Sequence, residues 1–227
     1  MRRAMLTLTL FLCCGLLAPR LSAREGFSIH LGLGGGIWNL GAESLGERLT
    51  EIHRPAAEGA LLTDSLDHGL ALRLAFAYNI KGYASVELGI TGHGWNLGNS
   101  DALGGSGHSS LVAHIHPLHF FLPADRPYDA SLFLGGGYSL VGGGQADDNR
   151  SRALDGGALE CGLAGRYFFT DWFSLGAELR LTVPFYNRWV VDWGDGEDYD
   201  LDGSPSAVFV ALLVHTGFHF TPAGDPP

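Results

Sequence analysis

Large apolar side chains alternate with small or polar ones in about eight separate runs along this chain, and each run ends at turn residues or a polar loop. The clearest run is Phe173 to Tyr186. Phe173, Leu175, Ala177, Leu179, Leu181, Val183 and Phe185 share one face, and Ser174, Gly176, Glu178, Arg180, Thr182, Pro184 and Tyr186 share the other. A period of two is that of a β-strand, whose successive side chains point to opposite sides. The pattern predicts strands over 27–38, 69–79, 84–95, 108–122, 130–141, 158–170, 173–186 and 207–220. Pro117 weakens the later half of the fourth, because proline cannot donate to a ladder.

The connections alternate in length. Short ones follow the second, fourth and sixth strands (80–83, 123–129, 171–172), and longer ones follow the first, third, fifth and seventh (39–68, 96–107, 142–156, 187–206). Short turns on one rim and long loops on the other belong to a barrel that crosses an outer membrane, with the short turns periplasmic. The non-apolar face is mostly Gly, Ala and Ser with a few charges, which suits a crowded interior. The apolar face carries Phe27, Tyr78, Tyr138, Tyr167, Phe169, Phe173, Phe185, Phe218 and Phe220 near strand ends, which predicts aromatic girdles at both membrane interfaces. The expected fold class is all-β: an eight-stranded antiparallel up-and-down transmembrane β-barrel. A soluble barrel with its apolar face inward is the alternative, since alternation alone does not orient the faces.

The chain starts Met1-Arg2-Arg3, continues with an apolar stretch from Ala4 to Leu17 and then reads Leu21-Ser22-Ala23. That is the form of a secretory signal peptide over 1–23, too short in its apolar part to span a membrane at ~20 residues. A barrel over 24–220 and a short periplasmic tail over 221–227 follow. Losing the leader removes Cys13 and Cys14, leaving Cys161 on an apolar strand face as a lipid-facing small hydrophobe. The whole chain has 14 Lys+Arg against 24 Asp+Glu. Without Arg2, Arg3 and Arg20 the balance is 11 against 24, so nucleic acid is not expected as a partner. Ala42 to Glu51 reads as a short helix in the first long loop.

The strand count, the loop asymmetry and the ending Val214-His215-Thr216-Gly217-Phe218-His219-Phe220 together resemble the small bacterial outer-membrane barrels of the OmpX, OmpW and OmpA-barrel kind, across Arg24 to Phe220. The resemblance implies that Phe218 and Phe220 form the C-terminal signal read by the barrel-assembly machinery. Thr221 to Pro227 follow it here, whereas many members end on the aromatic residue.

Several side chains are candidates for chemistry. Arg73, Glu87, Glu160, Arg166, Glu178 and Arg180 fall on the inward face, where opposite charges must pair. We read them as a lumen charge network that fills the barrel and fixes its register, with a gate or proton-coupled path as the alternative. His30, His93, His114, His116, His215 and His219 also fall on or near that face. Interior hydrogen-bonded histidines are the preferred reading, and zinc held by His114, His116 and a third ligand the alternative. The loop after the seventh strand is strongly acidic, and Asp198, Asp200 and Asp202 with Gly203 match the start of a calcium loop. Its twelfth position would be Phe209, where a bidentate Glu is wanted. A solvated acidic loop is preferred there, with calcium or divalent bridging to lipopolysaccharide phosphates as the alternative. His108 and Ser110 have the His-x-Ser spacing of an outer-membrane lipid A deacylase family, expected near the outer rim, but no acid stands beside them.

The expected function is that of a non-enzymatic, cofactor-free outer-membrane barrel with a structural or surface-interaction role through its extracellular loops, contacting outer-membrane lipid and lipopolysaccharide. The alternative is an OmpW-like passage for small hydrophobic molecules. A lipid A-modifying enzyme and a soluble periplasmic lipid-binding barrel stand behind these.

Overall fold

The structure, a computed structural model, describes residues 25–40, 68–80, 83–96, 102–122, 126–145, 151–191, 197–201 and 208–220. The expected leader, the helix at 42–51 and the tail lie outside them. Ten elements follow in order: β1 (Gly26–Leu40), β2 (His68–Ile80), β3 (Ala84–Asn96), β4 (Ala102–Ile115), a helical turn α1 (Leu118–Phe121), β5 (Tyr128–Gln145), β6 (Ser151–Phe168), β7 (Phe173–Val191), β8 (Glu197–Asp200) and β9 (Val208–Phe220). Neighbouring strands run antiparallel. β1 pairs with both β2 and β9, and β7 pairs with both β9 and β6, so the sheet closes on itself. The result is an eight-stranded antiparallel barrel of β1 to β7 and β9, with β8 hung on the far end of β7. Closure leaves the barrel no unpaired edge, the condition for placing backbone amides in hydrocarbon.

The two faces divide as alternation requires. Along β2, Leu70, Leu72, Leu74, Phe76 and Tyr78 are exposed while Ala71, Arg73, Ala75, Ala77 and Asn79 between them are buried. Leu134 is 66% exposed and Ile90 60%. A soluble barrel with the apolar set inside is therefore overturned: large aliphatic side chains coat the outside, and the polar set fills the interior. Cys161 is on the outer face.

Both termini of the barrel, Gly26 and Phe220, lie at one rim, called here the terminal rim; the other is the loop rim. The strand bounds differ from expectation mainly there. β4 starts at Ala102 and β6 at Ser151, because pairing continues through glycine- and serine-rich sequence that shows no apolar alternation: Gly94 faces Gly105, and Gly143 faces Arg152. The connections after β3 and β5 shrink to 97–101 and 146–150, so the alternation of loop lengths is weaker than expected. β4 ends at Ile115 rather than Leu122. Pro117 adopts helical dihedrals (φ −62°, ψ −29°) and opens α1. The acidic loop contains β8, which pairs Arg188 with Asp200 and Trp189 with Tyr199.

The aromatic belt is one-sided among the described side chains. Phe27, Phe76, Tyr78, Tyr128, Tyr167, Phe169, Phe173, Phe218 and Phe220 gather towards the terminal rim. Towards the loop rim, Tyr138 and Phe185 flank Gly157 in register.

Candidate functional site

Among the described residues, ionisable groups concentrate in the lumen, and they do so in layers. In its middle lie Arg73, Glu87, Glu160, Arg166, Glu178 and Arg180, each 7% exposed or less. Six strand positions of the inward parity put them there, on β2, β3, β6 and β7. Arg180 is the hub. Its Nε donates to Glu178 Oε1 at 2.6 Å, its Nη1 to Glu160, and its Nη2 reaches Glu87 Oε1 across the lumen at 3.5 Å. Arg73 donates to Glu87 and to Thr91 Oγ1 at 2.7 Å, and its Nε lies 3.9 Å from Glu178. Glu87 on β3 thus ties β2 and β7 together from opposite walls.

Small residues make room for these long ones. A side chain at Gly89 would meet the Arg73 guanidinium, and one at Gly162 would meet the Phe133 ring. Phe133 in turn lies under Arg180, with the guanidinium carbon 4.5 Å from the ring centroid. This is a cation–π contact between two buried side chains.

Arg166 differs from the other two arginines. Among the described residues no carboxylate lies within 4.0 Å of it, and its Nη1 donates to His30 Nε2 at 3.3 Å. A nitrogen that accepts from arginine carries no proton, so His30 is neutral and protonated on Nδ1, which donates to Glu87 Oε2 at 3.2 Å. Three arginines face three glutamates, with His30 relaying between Arg166 and Glu87. Unpaired charge is thereby avoided in a space where it would be costly.

Towards the terminal rim the lumen holds hydroxyls, histidines and one acid. His116 bonds Asp129 at 2.7 Å and Ser85 at 3.1 Å, His114 bonds Ser131 at 3.2 Å, and His219 bonds Ser174 at 2.8 Å. The His30 ring lies 5.8 Å from His215 and 5.9 Å from His219. Towards the loop rim the lumen turns apolar and aromatic: Val141, Leu154, Tyr186, Trp189 and Phe209 are all buried. His93 and His108 pack on Phe209 there, and Ser106 lies between them at 3.2 and 3.3 Å. Among the described residues no three His, Cys, Asp or Glu side chains gather as metal ligands.

Several solved structures share this geometry. Neisserial surface protein A aligns over 86% of this chain and 98% of its own, at a TM-score of 0.53 and 13% identity. The outer membrane protein OprG from Pseudomonas aeruginosa aligns over 88% and 99%, at 0.52 and 14%. A major outer membrane protein from Thermus thermophilus aligns over 86% and 99%, at 0.50 and 16%. The chain has the fold of the small outer-membrane barrels. No family model matches it and no curated protein sequence does. At these identities the likeness speaks for the fold alone.

In this barrel two sequence expectations take a different place. His108 and Ser110 are not at the rim but inside β4, facing the lumen, each 2% exposed. The extra length of β4 puts them below its loop-rim end. Asp198 and Asp200 sit exposed on β8, a short extended strand, and Asp202 lies outside the described residues. Tyr199 between them turns to Trp189, with ring centroids 5.4 Å apart. Phe218 and Phe220 are on the last strand facing outward, where Phe220 meets Phe27 at 6.3 Å and Phe218 meets Phe173 at 5.8 Å.

Two contributions were missed from sequence: the buried Asp129 with Arg126 at the terminal rim, and a pair at the other rim. Asp155 and Arg188 pair near the loop rim, Nη2 to Oδ2 at 2.5 Å, beside a bulge where β6 and β7 shift register. Alternation alone cannot signal a pairing made across a bulge.

Proposed function

We propose that this chain is a non-enzymatic barrel of the bacterial outer membrane, closed to water along its axis, whose role is carried on its loop rim. The likeness to outer-membrane barrels supports that location. The observation that carries the closed reading is the cross-lumen network of Arg73, Glu87, Glu160, Glu178 and Arg180, buried to 5% exposure or less while aliphatic side chains cover the outside. Eight strands enclose a space that side chains can fill, and here they do so with paired charge. The terminal rim is then periplasmic and the loop rim extracellular, with outer-membrane lipid and lipopolysaccharide as the molecules in contact, and Phe218 and Phe220 presented to the assembly machinery during insertion. Planar-bilayer recording tests this. The barrel should show no stable conductance, and paired Arg73→Ala and Arg180→Ala changes should open one. A steady ionic current through the unaltered barrel would refute closure.

A second reading is a passage for small hydrophobic molecules that leave sideways through the wall. It is favoured by a groove of about 1020 Å³ on the outer face, walled by Leu31, Leu33, Leu70, Leu72, Ile90 and Val214 and touching Gly32, Gly34 and Arg73. Uptake of a hydrophobic dye into vesicles carrying the barrel would favour it over the closed reading.

A further inference from the structure

The helical turn between β4 and β5, at the terminal rim, holds the most exposed large apolar side chain among the described residues. Phe121 is 83% exposed, more than any other large hydrophobic side chain among the described residues, and Phe120 beside it is 60% exposed. Floppiness does not explain this. The turn is closed by Phe120 N–H to Pro117 O at 3.1 Å and Leu122 N–H to Leu118 O at 2.9 Å. Its exit is clamped by Arg126, whose Nη1 donates to Leu122 O at 3.1 Å and Nε to Tyr128 O at 3.0 Å. Its entry is clamped by His116 N–H to Tyr83 O at 2.9 Å. These bonds hold the turn while both phenylalanine rings stay exposed.

The exposed rings continue a surface already assigned to lipid. Phe120 packs on Tyr83 at 5.2 Å, and Tyr83 is as exposed as Ile80 and Tyr78, which belong to the outer face of β2. The neighbouring connection behaves alike: Trp172 is 59% exposed and stacks on Phe218 at 6.4 Å. We propose that α1 is a membrane foot, with Phe120, Phe121 and Leu122 sunk into the headgroup–acyl boundary of the phospholipid leaflet at the terminal rim. Aromatic and aliphatic side chains favour that boundary, and an apolar turn rigidly joined to a lipid-facing wall loses little by entering it. The foot would fix the height of the barrel in the bilayer from that side, where the girdle is dense. This inference rests on the outer-membrane reading above.

Spin labelling separates the two. Cys13, Cys14 and Cys161 are replaced by alanine, single cysteines are placed at Phe121, Leu163 and Asp171, and the folded barrels are put in phosphatidylethanolamine–phosphatidylglycerol vesicles. Heat-shifted gel mobility confirms folding, and Phe120→Cys serves should the Phe121 variant not fold. Oxygen, which concentrates in lipid, and a water-soluble nickel chelate then compete for each label. We expect oxygen to dominate at 121 as at 163, with nickel dominating at 171. Nickel access at 121 equal to that at 171 would overturn the foot alone. So would a label at 121 that neither reagent reaches, which would mean protein covers it. Nickel access at 163 would overturn the membrane reading and the foot with it.

Discussion

Replacing Arg180 by methionine probes the lumen most directly. The guanidinium is 1% exposed and touches three carboxylates: Glu178 at 2.6 Å, Glu87 at 3.5 Å and Glu160 closer still. Methionine keeps much of the volume over Phe133 but removes the charge. Each charge contact near 4 Å is worth about 4 kcal/mol at an effective dielectric of 20. Desolvation of the arginine offsets part of this, and losing one partner of a buried pair leaves a net cost of about 3–5 kcal/mol. The stranded carboxylates outnumber Arg73 and Arg166 three to two, so the variant should fall at the upper end. Adding Glu160→Gln removes one stranded charge and should return a large part of the loss. Denaturant unfolding in lipid vesicles, scored by heat-shifted gel mobility, reads both variants. A loss under about 1 kcal/mol, the range of exposed ion pairs, would show that water rather than protein solvates the lumen, and the closed-barrel argument would fall.

Two glycines give opposite expectations in the same assay. A Cβ at Gly137 would run into the carbonyl oxygen of Ser109 on β4, so Gly137→Ala should cost about 1–3 kcal/mol, whereas Gly92 faces open space and Gly92→Ala should gain about 0.5 kcal/mol. Equal effects at the two sites would contradict the close approach of β4 to β5 at Gly137. Ser110→Ala should leave lipid A acylation unchanged by mass spectrometry, because the hydroxyl sits within the lumen; altered acylation would restore the enzyme reading.

What the sequence could disclose followed from periodicity. Alternation put Arg180 and Glu178 on the same side of one strand, and the inward parity of β2 and β3 put Arg73 and Glu87 there too. Which of them touch was hidden, because Glu87 meets Arg180 only after eight strands have closed and staggered. The starts of β4 and β6 were hidden for another reason: Ala102 to Gly107 and Ser151 to Gly157 hold almost no large apolar residue, so partner strands alone extend them. Leu118-His119-Phe120-Phe121-Leu122 reads as strand by composition, yet Pro117 and the Arg126 clamp fold it into a turn. Asp198 and Asp200 matched a calcium motif locally. Their backbone pairs with Arg188 and Val190 of β7, a pairing decided at long range that the local motif does not signal.

The distribution of charge bears on where activity can reside. Moving an ion along the axis would require Arg73 or Arg180 to swing away from Glu87, and each movement would leave carboxylates facing one another in a space lined by Phe133 and the opposing wall. Side chains buried this deeply hold their places because the alternatives are charged and unpaired. This is the physical basis of the closed reading proposed above. The loop rim is built differently. β5, β6 and β7 run 18, 18 and 19 residues against 13 for β2, β3 and β9, so one side of the wall stands taller. That side carries the Asp155–Arg188 pair, the register shift, and β8 with Asp198 and Asp200 exposed. On the closed reading proposed above, this raised, acidic, irregular edge is where recognition takes place. Exchanging that edge for a short turn should then abolish surface binding while leaving the barrel folded.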